Sequence, residues 1–310
     1  MKIIFASSTT SDPDSWIRLL EEAIPGAEIV NWSDNSGTVG ADLAITWSPP
    51  HDLFLREPGI QAVFNLGAGV DALLKLPGLR DNVPVIRLED AGMAVQMAEY
   101  AVYALVRASR SFDRYQQLQG ERRWEPQQDI RRRNWPVGVL GMGVMGARVA
   151  QMLAALEYPV AGWSRSGKAL PDVQSFAGSD TLPAFLARTR VLINTLPLTP
   201  ETRGLLNRET LGQLLPGAYL VNVGRGGHLV EDDLIPLLDS GVLSGATLDV
   251  FSQEPLPTGH PFWADPRITI TPHVAAASLR EETVAQVAEK IRRYRAGEAL
   301  TGIVARERGY

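Results

Sequence analysis

Cysteine is absent from this sequence, and histidine occurs only four times. The lack of cysteine excludes disulfides, thiolate metal ligands and a cysteine nucleophile, and no spacing of the other ligand types resembles a zinc site. No apolar stretch reaches the roughly 18 residues that a membrane span requires, and the N-terminal sequence MKIIFASS turns polar too early for a signal peptide. We therefore expect a cytoplasmic chain without a metal or a membrane segment.

Basic residues are too few and too scattered for a nucleic-acid partner. The formal net charge is −5, and Arg131–Arg133 is the one tight basic run in the sequence. The chain has 310 residues, of which 45% are apolar. Because single cores stop growing near roughly 250 to 300 residues, this length favours two domains.

Short apolar runs rich in β-branched residues alternate with helical patterns along the first part of the chain. The spacing of Trp16, Leu19 and Ile24 indicates a helix, with Ser11 and Asp12 as candidate caps. Strands separated by helices are typical of a parallel sheet. The predicted strands are Lys2–Ala6, Glu28–Trp32, Leu43–Trp47, Ala62–Leu66 and Val83–Leu88.

A second strand-helix series follows a long stretch without proline. Residues 91–119 have apolar side chains at helical spacing and predict one long helix, which would suit a bridge between domains. The strands after it predict one complete doubly wound sheet. They are Val137–Leu140, Pro159–Trp163, Val191–Leu196, Ala218–Val223, Gly245–Val250 and Arg267–Thr271.

The sequence Gly141-Met142-Gly143-Val144-Met145-Gly146 directly follows the first strand of this series and opens a helix. That context is what favours a dinucleotide site over a glycine-rich turn without a ligand. The first glycine permits a tight turn, the second lets the backbone approach a pyrophosphate, and the third lets the helix pack on the strand. The amides at the start of the helix can then bind the anion.

The end of the next strand lacks the acidic residue that usually binds the ribose hydroxyls of NAD. Trp163 is followed instead by Ser164, Arg165, Ser166 and, after a glycine, Lys168. A guanidinium binds a 2′-phosphate that a carboxylate would repel, so we expect NADP(H) to be preferred, with NAD(H) still possible. The alternative is a solvated basic turn.

The last predicted helix follows Ser278–Glu281, which has the SLRE pattern of a capping box. No strand follows it in its own series, so we expect the chain to return to the first domain. We therefore predict an α/β protein with two doubly wound parallel-sheet domains and a cleft between them. Residues 1–92 and 278–310 form a smaller flavodoxin-like substrate domain, and residues 93–277 form a Rossmann-type dinucleotide-binding domain.

Three polar residues, Arg225, Glu254 and His273, are predicted at or just beyond the ends of successive strands. The carboxyl ends of parallel strands are where open α/β sheets bind ligands. An arginine fork can bind a carboxylate and polarise a carbonyl, and a histidine can supply a proton near neutral pH. A neighbouring carboxylate stabilises the imidazolium and orients its ring. We predict that these residues assist the reduction of a small 2-oxo acid by the nicotinamide cofactor.

The chain resembles the D-2-hydroxyacid dehydrogenase family, particularly its short glyoxylate/hydroxypyruvate reductase branch. The resemblance extends over nearly the whole chain. Its motifs are Leu66-Gly67-Ala68-Gly69-Val70-Asp71, the loop 141–146, Leu196-Pro197-Leu198-Thr199, Asn222-Val223-Gly224-Arg225-Gly226, Leu248-Asp249-Val250-Phe251, Glu254-Pro255 and Thr271-Pro272-His273.

The resemblance implies further site residues. It implies that the Ala68 and Gly69 amides bind the substrate carboxylate and that Asp249 binds the nicotinamide carboxamide. It also implies that Leu196, Pro197 and Leu198 line the adenine side. We add Val223, Gly224 and His273 to the expected cofactor contacts and Trp47 as a wall of the substrate site, although Trp47 suits core packing equally well. Formate dehydrogenases of the family place Gln where Glu254 stands, so the carboxylate disfavours that activity.

Two other functions stay open from the sequence. One is an NAD-dependent dehydrogenase that acts on larger 2-hydroxy acids, and the other is a cofactor-sensing corepressor that binds protein partners. The resemblance also implies a homodimer, with the helix 92–119 and the loop around Trp124 as candidate contacts. We expect the remaining histidines, His51, His228 and His260, to be loop residues.

Overall fold

The computed structural model describes residues 1–127 and 130–309. The chain divides into two compact units, which we call the discontinuous unit (Met1–Gly92 and Ser278–Tyr310) and the continuous unit (Met93–Ala277). Each unit contains one parallel sheet. The predicted fold class, α/β with two doubly wound sheets, is confirmed.

The discontinuous unit begins with a short helix between two strands. Its elements before residue 93 are β1 (Lys2–Ser7), α1 (Pro13–Ala23), β2 (Glu28–Trp32), β3 (Leu43–Trp47), α2 (Leu53–Arg56), β4 (Ala62–Asn65) and β5 (Val85–Arg87). Asp12 caps α1 by accepting a hydrogen bond from the Ser15 amide at 3.2 Å, as predicted. The sheet order is β2-β1-β3-β4-β5, which is the flavodoxin-like order.

The continuous unit has a seven-stranded sheet. Its elements are α3 (Met93–Ser109), α4 (Phe112–Gly120), β6 (Val137–Leu140), α5 (Val144–Ala155), β7 (Val160–Ser164), β8 (Val173–Ala177), α6 (Leu182–Ala187), β9 (Val191–Asn194), α7 (Arg208–Leu211), β10 (Ala218–Asn222), α8 (Glu231–Asp239), β11 (Leu243–Leu248) and β12 (Ile268–Ile270). The sheet order is β12-β11-β10-β9-β6-β7-β8. The strand order therefore reverses between β6 and β9, where open α/β sheets bind ligands.

The single helix predicted over residues 91–119 is wrong. Ala91 and Gly92 both have positive φ angles, of 51° and 81°, so the helix cannot start before Met93. Ser111 has a φ of 53° and separates α3 from α4. A residue in the left-handed region cannot continue a right-handed helix, and two helices result.

Strand β8 is absent from the predicted series. It is an edge strand, and among the described strands it pairs with β7 alone. Within it Val173 is buried, whereas Gln174, Ser175 and Ala177 are exposed. An edge strand with one buried residue lacks the apolar pattern by which the central strands were recognised.

The closing helix, α9 (Arg280–Arg295), belongs to the discontinuous unit and packs against α1. The predicted capping box does not form. Leu279 occupies the cap position, and the Ser278 hydroxyl donates instead to the Leu66 carbonyl at 3.2 Å. Among the described residues, no helix has the length and apolar character needed to cross a membrane.

Candidate active site

The residues predicted to bind cofactor or to catalyse lie at one end of the seven-stranded sheet, where the strands reach their carboxyl ends. All of its strands run parallel, so the segments that follow their carboxyl ends lie at the same edge. These segments are Gly141–Gly146 after β6, Arg165–Lys168 after β7, Thr195–Thr199 after β9, Val223–Arg225 after β10, Asp249–Glu254 after β11 and Thr271–His273 after β12.

The glycine loop joins β6 to α5 with the geometry that its pattern predicts. Gly141 has a φ of 93°, which favours glycine. A Cβ on Gly146 would lie 1.8 Å from the Gly141 carbonyl oxygen, so this position has no room for a side chain. At Gly143, no atom of the described residues lies within 4 Å of the corresponding Cβ position. The middle glycine therefore borders open space that a ligand can enter.

Helix α5 presents its first amides beside this open space. Gly143 precedes the helix and supplies no capping side chain. The first helical hydrogen bond runs from the Ala147 amide to the Gly143 carbonyl at 3.0 Å. The amides of Val144, Met145 and Gly146 thus precede the helical ladder and can donate to an anion. The loop fits a dinucleotide pyrophosphate.

The turn after β7 is basic and accessible to solvent. Arg165, Ser166 and Lys168 are exposed, while Trp163 and Ser164 are half-buried. The Trp163 indole donates to the Gly178 carbonyl at 2.9 Å, which holds this end of β7 to the segment beyond β8. The turn therefore presents a guanidinium and hydroxyl groups in the position where a ribose phosphate is expected.

The carboxylate of Glu201 lies near enough to this turn to interact with the charge of Arg165. The pKa of Glu201 is lowered, chiefly by a hydrogen bond from Thr199 and to a smaller extent by its own backbone and the positive charge of Arg165. Glu201 follows the loop Leu196–Leu198, so the segment after β9 passes near enough to Arg165 for Glu201 to feel its charge. This neighbourhood fits the predicted adenosine end of a cofactor.

The turn that contains Arg225 is fixed by two hydrogen bonds and by close packing of its backbone. The Asn222 side chain donates to the Arg225 carbonyl at 3.2 Å, and Arg225 Nη1 donates to the Gly224 carbonyl at 2.8 Å. A Cβ on Gly226 would lie 1.8 Å from the Phe251 carbonyl carbon, so the turn packs directly on the segment that leads to Glu254. Close backbone packing thus brings the predicted clamp and the predicted catalytic carboxylate to adjacent segments.

His273 and Glu254 form the predicted pair. His273 Nδ1 lies 2.8 Å from Glu254 Oε2, and Glu254 Oε1 accepts from the Phe251 amide at 2.9 Å. The side chains are 45% and 37% exposed, so solvent and small ligands can reach the pair. Both carboxylate oxygens are used, which orients the ring.

Asp249 has a role that the sequence did not predict. It is 1% exposed, and its carboxylate accepts from the Val274 amide at 2.8 Å and the Ala275 amide at 2.9 Å. The His273 amide donates to the Asp249 carbonyl at 2.8 Å. His273 has a φ of 55°, which is uncommon for a residue with a Cβ, and these bonds help to hold its turn.

A further hydrogen-bond chain supports Asp249. Thr271 donates to Asp249 Oδ1 at 2.6 Å, and the Tyr100 hydroxyl lies 2.5 Å from the Thr271 hydroxyl. Since a carboxylate only accepts, Thr271 donates to it and Tyr100 donates to Thr271. Burial is the main cause that raises the pKa of Tyr100 to about 12, so this phenol stays protonated well into the alkaline range.

The substrate residues predicted in the discontinuous unit lie in the segments after β3 and β4. The Asn65 side chain donates to the carbonyls of Gly67 and Gly69, each at 2.9 Å, and so fixes the turn that contains Ala68. The Trp47 ring occupies the space that a side chain at residue 67 would need, and Trp47 is 38% exposed. Trp47 is thus packed on one face and open on another.

The remaining histidines differ from one another. His51 is exposed, and His260 is half-buried and accepts from the Phe262 amide. His228, predicted to be a loop residue, lies in a turn as expected but is fully buried. Among the described residues, no group of three or more His, Cys, Asp or Glu side chains could hold a metal ion.

Comparison with known proteins gives matches over the whole chain. A family model described as the NAD binding domain of D-isomer specific 2-hydroxyacid dehydrogenases matches residues 102–275. Glyoxylate/hydroxypyruvate reductase A of Escherichia fergusonii is 48% identical over 315 aligned positions, which cover all of both chains. The same enzyme of Enterobacter sp. strain 638 is 47% identical, again over all of both chains.

Solved structures agree with the sequence matches. A D-isomer specific 2-hydroxyacid dehydrogenase of Xanthobacter autotrophicus in complex with NADPH and MES has a TM-score of 0.94 at 40% identity, and covers 100% of this chain and 99% of its own. The NADPH-dependent glyoxylate/hydroxypyruvate reductase of Sinorhizobium meliloti, in complex with NADP and sulfate, has a TM-score of 0.93 at 36% identity with the same coverage. The chain therefore belongs to the D-isomer specific 2-hydroxyacid dehydrogenase family, in its glyoxylate/hydroxypyruvate reductase A-like branch, and is an NAD(P)-dependent oxidoreductase.

Proposed function

We propose that this enzyme uses NADPH to reduce small 2-oxo acids, glyoxylate or hydroxypyruvate, to the corresponding 2-hydroxy acids. The observation that carries the proposal is the His273–Glu254 pair, 2.8 Å apart, at the same sheet edge as Arg225 and the glycine loop. The names of the full-length relatives agree with this substrate class.

The cofactor is assigned to the glycine loop and the basic turn. The bound nicotinamide cofactor supplies the hydride, and this chain supplies its binding site. The open side of Gly143 and the first amides of α5 suit the pyrophosphate. Arg165 and the serines beside it suit a 2′-phosphate, so NADP(H) is preferred over NAD(H). Related structures that contain NADPH or NADP support this preference.

Arg225 is proposed to bind the substrate carboxylate and to polarise the carbonyl that is reduced. A planar guanidinium can donate two parallel hydrogen bonds to a carboxylate, which fixes both distance and orientation. The close packing of Gly226 on Phe251 fixes the backbone beneath this side chain. Positioning of this kind lowers the barrier because the reacting groups are aligned before reaction.

His273 is proposed as the general acid. Its Nδ1 contacts Glu254, so Nε2 is the nitrogen that can protonate the alkoxide oxygen as it develops. In the reverse direction the same nitrogen takes the proton from the hydroxy acid. Glu254 accepts a hydrogen bond from Nδ1 and holds the ring plane.

We also propose roles for the two units and for the assembly. The continuous unit is the cofactor domain and the discontinuous unit the substrate domain, with Ala68, Gly69 and Trp47 in contact with substrate. Val223, Gly224 and the loop 196–198 are proposed cofactor contacts, and Asp249 is proposed to act beside them by holding the His273 turn. We propose a homodimer in the cytoplasm, without a nucleic-acid partner.

The proposal is tested with a spectrophotometric panel. Glyoxylate, hydroxypyruvate, pyruvate and larger 2-oxo acids are each assayed with NADPH and with NADH at 340 nm. The highest kcat/KM should belong to a two- or three-carbon 2-oxo acid with NADPH. Higher kcat/KM for larger acids with NADH would replace this assignment with that of an NAD-dependent dehydrogenase. A lack of turnover with every acid, together with tight NADPH binding, would indicate a cofactor-sensing protein.

A further inference from the structure

His228 is a fully buried imidazole that touches two different loops of the candidate site. Its Nδ1 lies 3.1 Å from the Arg225 backbone nitrogen, and its Nε2 lies 3.2 Å from the Pro197 carbonyl oxygen. Arg225 belongs to the proposed substrate clamp, and Pro197 belongs to the proposed cofactor loop Leu196–Leu198. One side chain therefore bridges the segments that follow β9 and β10.

The two contacts define which ring nitrogen carries the proton. A carbonyl oxygen only accepts, so Nε2 must donate to Pro197. The Arg225 amide only donates, so Nδ1 must accept from it. The Arg225 carbonyl also lies 3.0 Å from Nδ1, but a proton on Nδ1 would face the hydrogen of the Arg225 amide, which points at the same nitrogen. These partners assign the neutral tautomer with its proton on Nε2.

The surroundings of His228 are close-packed, so a displacement of the ring would move both loops. A Cβ on Gly224 would lie 3.2 Å from His228 Cε1 and 3.1 Å from the Leu196 carbonyl oxygen. The backbone carbonyl of His228 accepts from the Leu206 amide at 2.8 Å, which fixes the turn itself. The imidazole thus fills the space between the two loops and bonds to each.

The strand ends beneath this bridge are already joined by a separate pair. Asn194 Nδ2 donates to Asn222 Oδ1 at 2.9 Å, and the remaining acceptor, Asn194 Oδ1, binds the Leu196 amide at 3.2 Å. The asparagine pair fixes where each loop leaves its strand. His228 acts farther along the loops, at the residues that are proposed to meet cofactor and substrate.

We propose that His228 is a positioning residue that sets the Arg225 turn and the loop Leu196–Leu198 at a fixed distance from each other. The inference rests on the proposed roles of Arg225 and of that loop. His228 itself takes no part in the proton transfer. Its Nδ1 contact supports substrate binding, and its Nε2 contact supports cofactor binding.

Two amide variants separate the contacts. His228→Asn places an amide near the position of Nδ1, so it keeps the Arg225 contact and loses the Pro197 contact. His228→Gln places an amide near Nε2, so it keeps the Pro197 contact and loses the other. Because loss of one neutral hydrogen bond costs a modest amount, we expect effects of roughly 3- to 10-fold.

The measurements are the Kd of NADPH by fluorescence titration, the KM of the 2-oxo acid, and the melting temperature. His228→Asn should weaken NADPH binding and leave the substrate KM near the native value, whereas His228→Gln should do the reverse. His260→Asn is the control, because His260 also accepts a backbone amide through Nδ1 in a short turn. It should change neither parameter.

A crossed pattern of this kind supports the positioning role. Equal losses in both parameters for His228→Asn and His228→Gln, or no change in either, would overturn it and leave His228 as ordinary packing. If the native enzyme reduced no 2-oxo acid, the proposed function would fail while the NADPH titration still decided this inference. Weaker NADPH binding by His228→Asn than by His228→Gln would support it, and equal binding would overturn it.

Discussion

Alanine substitutions at two glycines of the same loop should have different effects, because one glycine packs against the protein and the other borders open space. One substitution should lower the melting temperature, and the other should weaken NADPH binding. Gly143→Ala and Gly146→Ala each add a single methyl group. At residue 146 the new Cβ would lie 1.8 Å from the Gly141 carbonyl oxygen and 2.5 Å from Thr195 Oγ1. At residue 143 it would meet no atom of the described residues within 4 Å.

The expected loss of stability at residue 146 follows from competing terms. Overpacking costs typically about 1 to 3 kcal/mol, and the oxygen that must move belongs to the backbone, which puts Gly146→Ala at the upper end of that range. Replacing a helical glycine by alanine returns roughly 0.5 to 1 kcal/mol. The net loss is about 2 to 2.5 kcal/mol, which lowers the melting temperature of a domain of this size by roughly 4 to 10 °C.

Gly143→Ala should leave the melting temperature unchanged, because Gly143 has a φ of −67° that alanine adopts without strain. Its methyl group would instead occupy the space proposed for the pyrophosphate. Loss of one hydrogen bond to a charged group costs about 1.5 to 3 kcal/mol, which corresponds to a roughly 10- to 150-fold higher Kd for NADPH. The assays are thermal unfolding of the ligand-free protein and fluorescence titration with NADPH.

The two variants refute the reasoning if they behave alike. Native NADPH affinity in folded Gly143→Ala would mean that the pyrophosphate does not approach this residue. A large loss of melting temperature in Gly143→Ala would mean that the open space is filled by the protein itself. Native stability of Gly146→Ala would show that the loop relaxes at little cost.

Three further predictions concern the remaining parts of the site. Arg165→Ala should weaken NADPH binding by about 1.5 to 3 kcal/mol and hardly alter NADH binding, and equal losses in the two titrations would make Arg165 structural. Arg225→Lys keeps the charge but loses the fork, so kcat/KM should fall severely while the Kd of NADPH is retained; near-native turnover would contradict the clamp. Burial raises the pKa of Tyr100 to about 12. The neutral phenol therefore contributes its full stabilisation of the fold below pH about 10, and this contribution is lost as the pH rises toward 12. Tyr100→Phe should therefore flatten the fall in melting temperature over that interval, and an unchanged slope would mean that Tyr100 ionises as readily as a solvated phenol.

The sequence predicted the fold well because its central strands are short apolar runs separated by helices. Its errors lie where the structure depends on local backbone conformation or on the edge of a sheet. The break between α3 and α4 results from the left-handed Ser111, and no pattern of apolar residues reveals a positive φ. Strand β8 is half exposed and pairs on one side only, so it lacks the signal of a buried strand.

The candidate site was predictable in its residue types but not in the contacts that hold them. Arg225, Glu254 and His273 follow strands whose carboxyl ends share one edge, which the motif order already indicated. The roles of Asp249 and His228 depend on hydrogen bonds between segments that are distant in sequence. The sequence His228-Leu229-Val230 resembles an ordinary loop passing into a helix, and only burial of the imidazole reveals its partners.

Proton transfer by His273 is the central step of the proposed reaction, and single-turnover reduction of glyoxylate or hydroxypyruvate measures it. His273→Ala should reduce this rate by roughly 10² to 10⁴ while the Kd of NADPH stays native, as expected for loss of one general acid. Glu254→Gln, which keeps a hydrogen-bond partner for the ring without its charge, should give an intermediate rate. A near-native rate in His273→Ala would contradict the account, since Arg225 would then act without the proposed acid.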